Sequence, residues 1–118
     1  MEDFMTILRN EFDAGDGSFL IKWRPNLEWD KAVFNRLISA MNLCAENNAS
    51  DSKLERWVAK GFWFVPRFVR EWATHPNFQK VHAADYYEKA LTRLDDLAYW
   101  YFMGQSPYKN GKHFEELA

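Results

Sequence analysis

Carboxylate and imidazole side chains stand at spacings that could bind a metal ion. Glu71 and His75 are four residues apart, so a helix would carry both on one face, and His82 and Asp85 are three apart. Both ligand types suit divalent metals. The spacings match no established metal motif, however, and Pro76 stands between the two pairs. We therefore predict neither a metal site nor a cofactor.

Two adjacent carboxylates, Asp95 and Asp96, suggest general acid–base chemistry. Neighbouring helical residues point about 100° apart, so these two cannot face one reacting atom. Asp95 flanks an apolar stripe and is predicted to pair with an arginine of a neighbouring helix (Arg36, Arg67 or Arg70), whereas Asp96 is predicted to point outward. We assign a catalytic role to neither.

The remaining reactive groups have structural explanations. The segment from Asp13 to Gly17 has the composition of a turn, and Arg24 occupies the position where a calcium loop would need a glutamate. Cys44 lies on an apolar stripe and is predicted to be a buried thiol. The sequence contains no glycine-rich phosphate loop, nucleophile elbow or zinc-type cysteine pattern. We identify no catalytic residues and expect a protein without catalytic activity.

The length of the chain fits one domain, which we predict to be helical and to cover residues 1–118, with a partly irregular tail at 105–118. The chain has 118 residues, of which 47% are hydrophobic and 27% charged, a balance typical of globular proteins. The net charge of −2 argues against a nucleic-acid binder, because such proteins usually carry a basic stripe. Aromatic residues reach 18% and include six tryptophans, which provide much burial per residue.

The sequence also predicts a cytoplasmic location. There is one cysteine, so no internal disulfide can form. The N-terminal residues lack the basic region of an export signal. No apolar run approaches the roughly 20 residues that span a bilayer, so we expect no membrane insertion.

Apolar residues at helical spacing predict an all-α bundle of four to five helices. Residues 18–23 are expected to form a brief extended segment, and Pro25 disfavours a helical conformation at Arg24. Pro66 is expected to kink or break the third helix. A short helical turn is expected at 112–117. The main helices are predicted at about 2–12, 27–46, 51–74 and 84–103.

Polar residues and glycine mark the ends of these helices. Asn26 or Asp30 is predicted to cap the second helix, and Ser50 or Asp51 the third. Gly104 follows the last helix, where a C-cap glycine is expected. These signals indicate helices joined by polar loops.

The third and fourth helices carry more aromatic side chains than one apolar stripe each can bury. The consecutive rings from Tyr99 to Phe102 point in every direction around one helical turn. Either another part of the chain covers the second faces of these helices, or the rings remain exposed as a binding surface. Our predicted surface for a protein partner or for self-association consists of Trp63, Arg67, Arg70, Asp96, Trp100 and Met103.

The alternative function is a small-molecule site or an enzyme inside the bundle. Tyrosine hydroxyls in an apolar setting need hydrogen-bond partners, and a ligand could supply them. An enclosed cavity of more than about 300 Å³ would favour this class. The residues predicted to line it are His75, Tyr87, Asp95, Tyr99 and Tyr101.

Overall fold

The computed structural model describes residues 3–26 and 29–108, and the regular elements within these ranges are all helices. This confirms the predicted all-α bundle of four to five helices. In the described ranges, no helix has both the length and the apolar character to cross a bilayer. The turn predicted at 112–117 lies outside the described residues. The helices are α1 (Phe4–Phe12), α2 (Phe19–Asn26), α3 (Lys31–Asn48), α4 (Arg56–Ala73) and α5 (Ala84–Met103).

The longest helix, α5, packs against both α3 and α4, and α1 packs against the same two helices. The apolar stripes predicted for these helices face one shared core. Phe34 and Ile38 of α3, Val65 of α4, and Leu94 and Leu97 of α5 are fully buried. The helical phase read from the sequence is therefore confirmed for the core faces.

Two of the predicted helix caps are confirmed, and the predicted start of α4 is wrong. The Asp30 carboxylate accepts a hydrogen bond from the Val33 N–H (3.1 Å) at the start of α3. Gly104 ends α5 with a left-handed φ of 71°. However, α4 begins at Arg56 rather than near residue 51. The Asp51 N–H instead donates to the Asn48 carbonyl, in the turn that follows α3.

The prediction of an extended segment at 18–23 is wrong, because tertiary contacts stabilise the start of α2. The Ser18 hydroxyl accepts a hydrogen bond from the Ile21 N–H, as an N-cap does. The buried carboxylate of Glu11 accepts a second one from the Phe19 N–H (3.0 Å). With these two donors satisfied from outside the helix, α2 continues through Pro25 to Asn26.

Pro66 does not break α4, which runs as one helix from Arg56 to Ala73. Proline removes one hydrogen bond from the helix interior. The buried residues on either side of it, Phe62 and Val69, both belong to the common core. Packing of both halves of α4 against that core explains why the two-helix alternative is not adopted.

Many of the aromatic rings form a cluster at one end of the core. Trp29 lies at its centre, with ring centroids 4.8 Å from Phe19 and 5.2 Å from Tyr87. The Trp29 indole N–H donates to the Tyr86 hydroxyl (2.9 Å), which satisfies a buried donor. This cluster buries the rings of Phe19, Trp23, Trp29, Phe34, Phe78, Tyr86 and Tyr87.

Candidate functional site

One side of α4 carries a regular row of exposed side chains, which we call the α4 edge. Its members recur every three or four residues and therefore lie in line along the helix. Four of the six positions are basic, and a large aromatic ring stands between them. The α4 edge consists of Arg56, Lys60, Trp63, Arg67, Arg70 and Thr74.

A second row, the α5 edge, lies beside the first. Phe62 stacks on Tyr101 with ring centroids 4.2 Å apart, and Arg70 forms an ion pair with Asp95. The residue numbers run in opposite directions through these two contacts, so α4 and α5 are antiparallel. The α5 edge consists of the exposed residues Glu88, Thr92, Asp95, Tyr99 and Phe102.

A groove of about 320 Å³ lies between the two edges. Phe62 and Pro66 are buried and form its floor. Trp63 borders it on the α4 side and Phe102 on the α5 side, and the small side chain of Ala98 keeps the space between them open. The groove is lined by Phe62, Trp63, Pro66, Arg67, Arg70, Asp95, Ala98 and Phe102.

Trp63 and Arg67 form a stacked pair at the rim of this groove. The Arg67 guanidinium carbon lies 4.6 Å from the centre of the indole ring. Such a contact stabilises an exposed pair by about 0.5–1 kcal/mol. The indole nevertheless remains 56% exposed. A flat apolar surface and a positive charge are thus held next to one another before any ligand binds.

Comparison with known proteins adds no relative. No protein-family model, curated protein sequence or solved structure matches this chain.

The structure brings together three residues of the predicted binding surface and separates the other three. Trp63, Arg67 and Arg70 lie on the α4 edge. Asp96, Trp100 and Met103 each follow a residue of the α5 edge by one position, and one position rotates a side chain by about 100° around the helix. They therefore point away from the groove.

The predicted exposure of Trp100 is wrong. Its side chain is only 7% exposed, and its ring centroid lies 6.3 Å from that of Tyr108. Gly104 ends α5 in the left-handed conformation, and the following residues bring Tyr108 onto the outer face of the helix. Trp100 therefore belongs to the core. Met103 is 63% exposed, but it lies on this second face and not at the groove.

Asp96 lies on the same second face as Trp100 and is half-buried rather than fully solvated. Burial raises the pKa of its carboxyl group, and the nearby Arg93 guanidinium partly opposes that shift. The Arg93 guanidinium also lies 5.7 Å from the centre of the Tyr108 ring. Asp96 thus lies near Arg93 and away from the residues that line the groove.

The residues of the alternative pocket do not converge on one cavity. Tyr87 is buried in the aromatic cluster, His75 and Tyr99 are exposed, and Asp95 borders the groove. Tyr101 lines a different cavity, of about 360 Å³, near the loop before α4. Burial raises the pKa of the Tyr101 hydroxyl to about 12. The predicted lining set is therefore not assembled.

Structural contacts or burial account for the other candidate reactive groups. In the described ranges, no three His, Cys, Asp or Glu side chains are grouped so that they could hold a metal ion. One His82 ring nitrogen lies 3.0 Å from the Trp29 carbonyl oxygen, and the His75 ring stacks on Trp72. Cys44 is buried, which raises the pKa of its thiol to about 11. Its thiol is therefore protonated at neutral pH.

Sequence analysis missed the groove residues Pro66, Ala98 and Phe102 as members of a site. In the sequence, Pro66 indicates only a kink or break of the helix, and nothing marks Ala98 as part of a site. The spacing of the α5 edge, which repeats as four, three, four and three residues, was a usable signal. Its use required knowing that α4 and α5 are antiparallel neighbours, which the Phe62–Tyr101 and Arg70–Asp95 contacts together show.

Proposed function

We propose that this protein binds another protein through the groove between α4 and α5, in the manner of an inhibitor, immunity or adaptor protein. One observation carries the proposal: Trp63 is 56% exposed at the rim of a groove whose opposite rim, Phe102, is also exposed. Most other tryptophans of the described residues are buried. An exposed indole next to an apolar groove is typical of a binding surface.

The residue types at the groove are those that dominate protein interfaces. Truncation of a central Trp, Tyr or Arg commonly costs about 2 kcal/mol of binding free energy or more. Trp63 and Phe102 present rigid rings, and Arg67 presents a planar guanidinium that is already stacked. Because the pair is ordered before binding, less side-chain entropy is lost on association.

The charge of the α4 edge favours a different protein over a second copy of this chain. In a two-fold symmetric dimer each copy would present the same face to the other. A two-fold axis through the middle of the groove would bring Arg67 of one copy close to Arg67 of the other, and like charges at an interface are unfavourable. We therefore assign the groove to a heterologous partner.

Photo-crosslinking in a lysate of the native cells tests the proposal. A photoreactive phenylalanine analogue is placed at Phe102 on the groove rim and, as a control, at Val81, which is 75% exposed in the loop between α4 and α5. We expect one protein to be crosslinked from position 102 and not from position 81. The crosslink should be lost when Trp63→Ala is added.

Two results would contradict the proposed function. Equal labelling from positions 81 and 102, or labelling that survives Trp63→Ala, would overturn the proposal. Sedimentation of the purified protein over a range of concentrations tests the alternative of self-association. A dimer that Trp63→Glu dissociates would reassign the groove to a second copy.

A further inference from the structure

We infer that the partner segment bound in the groove is acidic, with carboxylates beside a large apolar side chain. This inference rests on the proposed function and adds the chemistry of the partner. The net charge of the whole chain is −2, so an acidic ligand is not what the overall charge suggests. The preference arises from how charge is distributed along the two edges.

The bases of the α4 edge are balanced at one end of the groove only. Arg70 is neutralised by its ion pair with Asp95, and Glu88 lies further along the α5 edge in the same direction. At the other end the α5 edge offers Tyr99 and Phe102 and no carboxylate. That end of the groove therefore has exposed positive charge facing aromatic rings.

The bases at that end have no acidic partner within the described residues. Neither Arg56, Lys60 nor Arg67 forms an ion pair there, and Arg67 contacts only the Trp63 ring through its guanidinium. A guanidinium stacked on an indole keeps its N–H donors at the edge, free to bind a carboxylate in bidentate fashion. Carboxylates of a partner could therefore bind these bases without first breaking an ion pair.

The groove itself accommodates the apolar part of such a segment. Its volume of about 320 Å³ and its floor of Phe62 and Pro66 suit one or two large apolar side chains. Arg67 borders this space, and Lys60 and Arg56 continue the same helix face beyond it, with the positions of the row three to four residues apart. An amphipathic helix with acidic residues flanking its apolar stripe has the matching spacing.

A single-stranded nucleic acid would also combine negative charge with stacking groups, but the observations favour protein. The bases occupy only part of the groove, and a phosphate chain that continued along it would meet Asp95 and Glu88. A protein segment can place its carboxylates at one end only.

Peptide titration tests the inference. The probes are two fluorescein-labelled helical peptides of about 16 residues with the same apolar stripe, one flanked by glutamates and the other by lysines. We expect the acidic peptide to bind at least about tenfold more tightly than the basic one at low ionic strength, with the preference shrinking as salt is added. An oligothymidylate of similar charge is the nucleic-acid probe.

Charge reversal on the protein provides the matched comparison. Lys60→Glu and Arg67→Glu should each reduce the preference for the acidic peptide about tenfold or more. Lys80→Glu makes the same change in net charge in the loop between α4 and α5 and should leave the preference unchanged. Circular dichroism confirms that each exposed-site variant is folded.

The outcomes separate this inference from the proposed function. Equal affinity for both peptides, or equal effects of Lys60→Glu and Lys80→Glu, would overturn the acidic preference while leaving a protein-binding groove. Tighter binding of oligothymidylate than of the acidic peptide would assign the groove to nucleic acid and overturn both. If neither peptide binds, the inference fails, and crosslinking from position 102 still decides the proposed function.

Discussion

Gly61 of α4 lies directly against the ring of Phe12 at the end of α1. A Cβ atom at position 61 would stand 2.0 Å from Phe12 Cδ2, far inside any real contact distance. The Phe12 ring also packs edge-on against Phe62, with centroids 5.6 Å apart. The missing side chain at position 61 is therefore what allows α1 to close onto α4.

Gly61→Ala should destabilise the protein by about 1–3 kcal/mol, although alanine is the better helix former. The added methyl group forces the Phe12 ring or the backbone of α1 to move. Urea unfolding measures the change, and Lys60→Ala, at the exposed neighbouring position, is the control. A double variant with Phe12→Leu should recover part of the loss; stabilisation by Gly61→Ala alone would contradict the contact.

Trp63→Ala should cost only about 1 kcal/mol of unfolding free energy, because the indole is largely exposed and loses mainly its contact with Arg67. Leu94→Ala, at a fully buried position in the middle of α5, should cost about 3 kcal/mol. Thermal unfolding of the two variants compares them. Losses of equal size would show that Trp63 is part of the core rather than of a binding surface.

Trp100→Ala should destabilise the protein strongly, by about 3 kcal/mol, because the ring is buried beneath Tyr108. Tyr99→Ala removes a neighbouring aromatic ring that is exposed and should cost less than about 1 kcal/mol. Chemical denaturation of both variants gives the comparison. An unchanged unfolding free energy for Trp100→Ala would show that this tryptophan is exposed.

Ala14→Gly should stabilise the protein by about 0.5 kcal/mol. Ala14 has a left-handed φ of 53° in the turn after α1, a conformation that costs a residue with a Cβ about 1 kcal/mol or more. The gain is reduced by the extra freedom of glycine in the unfolded chain. Ala59→Gly, also half-buried but inside α4, should instead destabilise by about 1 kcal/mol. Differential scanning calorimetry can resolve the opposite signs.

Glu11 should make stability fall as the pH rises above the ordinary glutamate range. Burial raises the pKa of its carboxyl above 4.5, while the Phe19 N–H and the Arg36 charge partly oppose that shift. The folded state then binds the proton more tightly than the unfolded state. The contribution of protonated Glu11 to the free energy of unfolding is complete below a pH of 4.5. It is lost as the pH rises through the raised pKa.

Glu11→Gln keeps the acceptor for Phe19 but cannot ionise, so it should be more stable than the wild type near neutral pH. The difference should narrow at about pH 4, where both side chains are neutral. Urea unfolding at several pH values measures it, and Glu46→Gln, at an exposed glutamate of α3, is the control. A difference that does not change with pH would contradict the burial argument.

Local signals in the sequence determined the helical class, the core faces and several helix ends. The apolar stripe of α5 was predicted because its spacing repeats with the helical period, which depends only on neighbouring residues. The same holds for the Asp30 cap and the Gly104 C-cap, since each acts within one helical turn. Such features need no knowledge of distant parts of the chain.

Features set by long-range contacts could not be predicted in this way. The start of α2 depends on Glu11, which lies eight residues before its hydrogen-bond donor Phe19. Trp100 packs against Tyr108, and no local pattern indicates which face of α5 the segment after the helix will cover. In both cases a second segment, and not the local pattern, decides the outcome.

The residues of the candidate site fall into the same two groups, those placed by local signals and those placed by long-range contacts. Trp63, Arg67 and Arg70 could be placed in one row from the sequence, because the row lies within a single helix. Their partners across the groove, Asp95 and Phe102, depended on which helix packs beside α4, in which direction and at what rotation. Helical periodicity fixes where side chains point within one element, but the meeting of two faces is fixed only when the whole core closes.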